Sequence, residues 1–140
     1  MSYSVTKEHV WVAAIDDRAG AMAEKLQTLS DGGLNLEFII SRRDRQGGAL
    51  LFISPLRTLD EIGVAEQAGF KRSAGLHSLR IAGPNRKGLG CRIACVIAAE
   101  GISVRGVSAA AIGDQQVTNI AFDTDEHASR ARRALELALR

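Results

Sequence analysis

Two short phrases carry residue types from which a small anion site can be built. Asp17-Arg18-Ala19-Gly20 recurs as Asn85-Arg86-Lys87-Gly88, each after a run of strand formers and before a helical pattern. A helix N-terminus presents backbone N–H groups that lack intrahelical acceptors, together with the positive end of the helix dipole. Glycine there lets a ligand come close to the main chain. No Lys-Ser or Lys-Thr pair supports a polyphosphate, so the pattern suits a small carboxylate. The same residues also read as plain architecture, with Asp17 and Asn85 as helix caps and the glycines as tight packing points. Both readings remain open on the sequence alone.

Other chemistry is weaker. Gly83 to Gly90 has the glycine spacing that opens a P-loop, but lacks its lysine and hydroxyl residue. Gly88-Leu89-Gly90 begins a dinucleotide fingerprint, and Ile93 stands where the third glycine belongs. Cys91 and Cys95 lie one helical turn apart, with no third cysteine and the three histidines in other segments. They are expected to be small buried core residues, reduced, and not metal ligands. His9 and His77 start equivalent strands without carboxylates that could join them in a metal site. Asp16-Asp17 are adjacent, and adjacent side chains rarely face one substrate together. Arg42-Arg43-Asp44-Arg45 reads as a solvated hairpin tip. No nucleophile and base are brought together by any pattern, so we expect no catalytic residue, no cofactor and no enzyme.

The elements that must position these residues come in two copies. Arg18 answers to Arg86, Gly20 to Gly88, Gly33 to Gly101 and His9 to His77, each 68 positions on. So long a period, present twice, predicts two small domains rather than a solenoid. In the first copy, 10–15 reads as a strand, and Met22, Leu26 and Leu29 follow at helical spacing after an Asp16-Asp17 cap. Leu34 to Phe38 alternates as a strand, 49–53 returns, and a helix runs from Leu59 to Gly69. The second copy repeats this order, ending in a helix with Asp123, Asp125 and Glu126 at its start. Arg130, Arg132, Arg133 and Arg140 crowd its far end, so the charges oppose the dipole. Each unit reads β-α-β-β-α. Phe70 to Leu76 can close the first sheet; its counterpart by the same step is 2–8, and nothing follows the last helix. The N-terminal segment is therefore expected to cross over and close the second sheet. The domains expected are 9–76 and 77–140, with 2–8 joined to the latter.

Composition narrows the function. The chain has 140 residues, 46% hydrophobic and 24% charged, which predicts a soluble folded protein. A net charge of +2 with only 4% aromatics argues against nucleic acid and anionic membrane as partners. The first residues lack the basic start and apolar run of a secretory signal, and no apolar segment is long enough to span a membrane, so a cytoplasmic location is expected.

With these residues in view, the pattern resembles a pair of ACT domains. Gly83-Pro84-Asn85-Arg86-Lys87-Gly88-Leu89, followed by Ala99-Glu100-Gly101-Ile102-Ser103-Val104, is similar to that family's signature of turn, helix and strand. The first copy, 16–20 and then 33–36, matches it more loosely. The resemblance covers nearly the whole chain and extends to the tandem regulatory region of aspartokinases, here without a kinase domain. It implies an α+β fold of two ferredoxin-like βαββαβ units with antiparallel sheets and helices on one face. It further implies a regulatory, allosteric sensor of a small molecule, an amino acid above all, bound at an interface between units in a homodimer, with any regulated enzyme unnamed. The site residues it implies are Asp17, Ala19, Gly20, Leu34, Asn35 and Leu36 in one copy. Those in the other are Asn85, Lys87, Gly88, Leu89, Ile102, Ser103 and Val104. Backbone amides near Gly20 or Gly88 would receive the ligand carboxylate, and Asp17 or Asn85 its amino group. The first copy departs from the family in its paired carboxylates and in Ala19 where proline is commoner, which favours the second copy. The alternative is an assembly module of the same fold that has lost its ligand.

Overall fold

Apolar alternation drives two separate sheets, each covered on one face by a pair of helices. A computed structural model describes residues 2–140. In order, the elements are β1 (Ser4–Glu8), β2 (Trp11–Asp16), α1 (Ala21–Asp31), β3 (Phe38–Arg43), β4 (Gly48–Ser54), α2 (Leu59–Gln67) and β5 (Lys71–Arg72). There follow β6 (His77–Pro84), α3 (Leu89–Ala99), β7 (Gly106–Ile112), β8 (Gln115–Phe122) and α4 (Asp125–Ala138). The sheets are antiparallel, with strand orders β3-β4-β2-β5 and β1-β6-β8-β7. Two compact units result: His9–Ser73, and Ala74–Arg140 together with the segment up to Glu8.

In the first-repeat unit, alternate residues of β2 and β4 point one way, so Trp11, Ala13, Leu51 and Ile53 meet Leu29 of α1 and Ala65 of α2. In the second-repeat unit, Leu79 and Ile81 of β6 and Ile120 and Phe122 of β8 meet Ile93 and Ile97 of α3 and Ala131 and Leu135 of α4. β1 completes this second core. It pairs with β6 from Ser4 opposite Ala82 to Glu8 opposite Ser78, and places Val5 in the core. Tyr3 donates its hydroxyl to Pro84 O at 2.8 Å. Its ring lies over Gly83, where a Cβ would come within 2.6 Å of it.

Several local expectations are corrected. Leu34 to Leu36 is not strand; β3 begins at Phe38 and β7 at Gly106. Leu34 and Leu36 are apolar because they plug the core below α1, and Leu34 N donates back to Leu29 O to close the helix. Phe70 to Leu76 yields only the two-residue β5, since Gly69 N and Phe70 N remain bonded to the end of α2. α4 has its acidic first turn, Asp125 and Glu126, under a Thr124 cap, but no basic residue in its last turn. Arg92 of α3 reaches across instead and donates to Ala138 O. Among the described residues, no helix is long and apolar enough to cross a membrane.

Candidate functional site

The turn from β6 into α3 is built without a side-chain cap. Gly88 is the N-cap residue at φ +81°, a conformation that L side chains avoid, and among the described residues no side chain caps the helix. Asn85 is therefore not the cap; its N–H donates to Asp114 O at 2.8 Å, which ties the turn to the β7–β8 hairpin. α1 repeats the arrangement with Gly20 at φ +89°, and Asp17 is no cap either.

Beside Gly88 lies an open cavity of about 280 Å³. Asn85, Arg86, Gly88, Leu89 and Gly90 form its helix side. Ala109 to Ala111 of β7, with Gln116 and Thr118 of β8, form its sheet side. Gln116 and Thr118 are buried, 8% and 5% exposed, on the face of β8 that carries Ile120 and Phe122 into the core. Buried polar groups must find partners. The Thr118 hydroxyl donates to Gln116 Oε1 at 2.7 Å, and Gln116 Nε2 reaches Ile81 O at a long 3.4 Å. Among the described residues the second amide hydrogen of Gln116 and the lone pairs of the Thr118 hydroxyl have no partner. The lining holds one cation, Arg86, and no acidic side chain. Leu89 N donates to Arg86 O at 3.1 Å, so the N–H groups that follow it, without a side-chain cap, remain; with an arginine and a neutral polar floor they favour a small anion.

The first-repeat unit differs at each of these points. Ile81 pairs with Thr118, whereas its counterpart Ala13 pairs with Leu51. Gly83 pairs with Gln116, whereas Ile15 pairs with Ala49. The polar floor is thus apolar in the first copy. Its turn is also occupied by ion pairs. Asp17 lies 3.3 Å from Arg43 of β3. Arg18 holds Glu24 at 2.8 Å and Asp16 at 3.5 Å. Glu24's hydrogen bond and charge hold the Arg18 guanidinium still higher, and Arg18 in return holds the Glu24 carboxyl below its ordinary value. Ala19 and Gly20 are exposed beside this cluster.

The remaining candidates fall elsewhere in their units. Lys87 is exposed at the turn and does not line the cavity. Ile102, Ser103 and Val104 follow α3, and the eleven residues of that helix set them about 16 Å from Gly88. Ile102 is buried in the core, while Ser103 and Val104 are exposed. Leu34, Asn35 and Leu36 are likewise at the far end of α1 from Gly20. There the carbonyl of Asn35 accepts from Arg57 Nη1 at 2.9 Å. Gln116 and Thr118, absent from the sequence reading, carried one signal: polar side chains at the alternate positions that Ile120 and Phe122 continue inward. Cys91 and Cys95 are a correction. Both are exposed, with sulfurs 3.9 Å apart, and Cys91 pushes the Cys95 thiol up. They sit on the outer face of α3, where small residues needed no core.

No protein-family model and no curated protein sequence matches the chain. Solved structures match its fold. Protein BT0572 from Bacteroides thetaiotaomicron superposes with a TM-score of 0.77 at 11% identity, over 92% of this chain and 88% of that one. The ligand-free regulatory subunit of aspartate kinase from Thermus thermophilus gives 0.67 at 16% identity, over 100% of this chain and 98% of that one. E. coli aspartokinase III in complex with aspartate and ADP gives 0.56 at 14% identity, over 98% of this chain and 33% of that one. The fold is therefore α+β, two ferredoxin-like units of the ACT type found in aspartokinase regulatory domains.

Proposed function

We propose that this chain is a non-catalytic regulatory protein that binds a small carboxylate, an amino acid, in the second-repeat cavity. The observation that carries the reading is the cavity at the uncapped start of α3, with Arg86 at its rim, Gln116 and Thr118 at its floor and no acidic side chain in its lining. The ligand carboxylate meets the N–H groups of Gly90 and Cys91 and the Arg86 guanidinium. Asn85 and the Gln116–Thr118 pair meet its remaining polar groups. Likeness in fold to regulatory subunits of aspartate kinase supports a sensing role, and one neighbour of that fold was solved with aspartate bound. The thermal stability of the whole chain against a panel of amino acids tests it. At about 100 times the dissociation constant, a ligand of the folded state adds about 2.7 kcal/mol. One amino acid is expected to raise the melting temperature, and Gly88→Val or Asn85→Ala to remove that rise. A flat panel with a functional fold would discard the reading.

A second reading, an assembly module that pairs copies of the chain, is favoured by one observation. β7 is an edge strand of seven residues, Gly106–Ile112, with no charge and with Val107 63% and Ile112 85% exposed. Edges of this kind are normally blunted by charge or proline. A homodimer joined along β7 is compatible with ligand binding and stands without it.

A further inference from the structure

β5 covers only the first part of its neighbour. It pairs with Trp11 and Val12 of β2 and no further, because the chain before Lys71 is still bonded to α2. Val10 O accepts from Ser73 N, so the even-numbered residues of β2 direct their backbone groups to this side. Ile15 O lies on the other side, toward Gly48. The N–H and C=O groups of Ala14 and Asp16 therefore face a side of β2 along which, among the described residues, no strand runs.

A cavity of about 460 Å³ lies along that edge, walled by α1 and by the C-terminal end of α2. Its two ends carry opposite charge. At the end of β2, Asp16 and Glu24 share the single cation Arg18, leaving one net negative charge. Near β5, Lys25 donates to Ala68 O at the end of α2, with its ammonium 3.1 Å from where a Gly69 Cβ would stand and no carboxylate in the lining there. Thr28 and Gln67 add uncharged polar groups to the lining.

We propose that this groove binds a short peptide of two or three residues with free termini. It adds to β2 as an antiparallel strand in line with β5. The main chain of the guest pairs with Ala14 and Asp16, whose separation of about 7 Å matches such a length. An antiparallel guest runs from the Asp16 end toward β5, so its ammonium falls beside Asp16 and Glu24 and its carboxylate beside Lys25. The charge of the groove thus selects the direction as well as the termini. The volume lies in the range of small-ligand sites. This site belongs to the first-repeat unit and is independent of the second-repeat cavity.

Calorimetry and amide NMR of the whole chain with trialanine, and with N-acetyl-trialanine amide, test the proposal. Trialanine is expected to bind and to shift amides at 14–16, 24–28 and 67–69. Blocking both termini, or Lys25→Gln, is expected to weaken binding about tenfold or more, as loss of charged hydrogen bonds does. Ala14→Pro removes one edge N–H at a position where an edge strand tolerates proline, and is expected to abolish binding. Asn85→Ala should leave it unchanged. Absence of trialanine binding, equal binding of the blocked peptide, or loss of binding in Asn85→Ala instead of Lys25→Gln overturns it. Should Ala14→Pro misfold, the blocked peptide and Lys25→Gln still decide.

Discussion

Gln116 and Thr118 spend two inward positions of a core strand on polar atoms, where the first copy has Ala49 and Leu51. If they serve a ligand, the double variant Gln116→Leu/Thr118→Val removes the amino-acid shift while leaving the ligand-free melting temperature equal or higher, because replacing both partners by apolar groups of similar shape is nearly neutral or stabilising. A drop in ligand-free stability of about 2 kcal/mol or more would make the pair structural. Glu24 gives a second prediction. Arg18 lowers its pKa, so the pair favours the folded state above the ordinary carboxylate value of 4.5 and loses that effect as pH falls through the depressed one. The group is fully exposed, so the effect on stability is slight, but a carboxyl NMR titration should find Glu24 below the ordinary value and Arg18→Ala should return it there. An ordinary midpoint in the unaltered chain would show that the ion pair does not persist in solution.

The strand β1 is the element on which the second-repeat unit depends most visibly. Val5→Ala is expected to cost about 1 to 3 kcal/mol, and hydrogen exchange should locate the loss. Amides of β6 and β8 should exchange faster while those of β2 and β4 keep their rates; loosening of β2 and β4 instead would contradict the pairing. The crossover was legible because the 68-residue step matched 2–8 to 70–76 and left the last sheet without a closing strand. The helices were legible too, from apolar spacing and from Gly32 and Gly101 at their ends. What misled was Leu34-Asn35-Leu36 and its counterpart 102–104: Leu34, Leu36 and Ile102 are apolar because they plug the core beneath a helix end, while Val104 is exposed, and periodicity cannot tell such plugs from a half-buried strand. Glycine was recognised at the strand–helix turns, but its task there is the left-handed φ at the N-cap itself, a task that removes Asp17 and Asn85 from the capping role. Gln116 stayed unseen because its place beside Gly88 follows from the β6–β8 register, which no local pattern encodes.

For the molecule entire, the two units are alike in topology and unlike in what they offer: a cavity with Arg86 as its one charged side chain in one, a strand edge lined by charges of both signs in the other. Self-association is expected to run along β7. Ser108→Lys, which charges that edge, should shift light-scattering mass from dimer to monomer at equal concentration, and an unchanged mass would place the contact elsewhere. The interleaved order of the chain has its own consequence in time. At about 5 to 20 residues per second on the ribosome, the 69 residues from Glu8 to His77 separate β1 from its partner strand by roughly 3 to 14 seconds. His9–Ser73 holds a whole core of its own and can close within that delay. The nascent chain then carries a strand without a sheet and, in the unit just closed, an edge with Ala14 and Asp16 unpaired. Only the emergence of β6, with five paired positions and a place for Val5 opposite Ile81, draws β1 to its final seat.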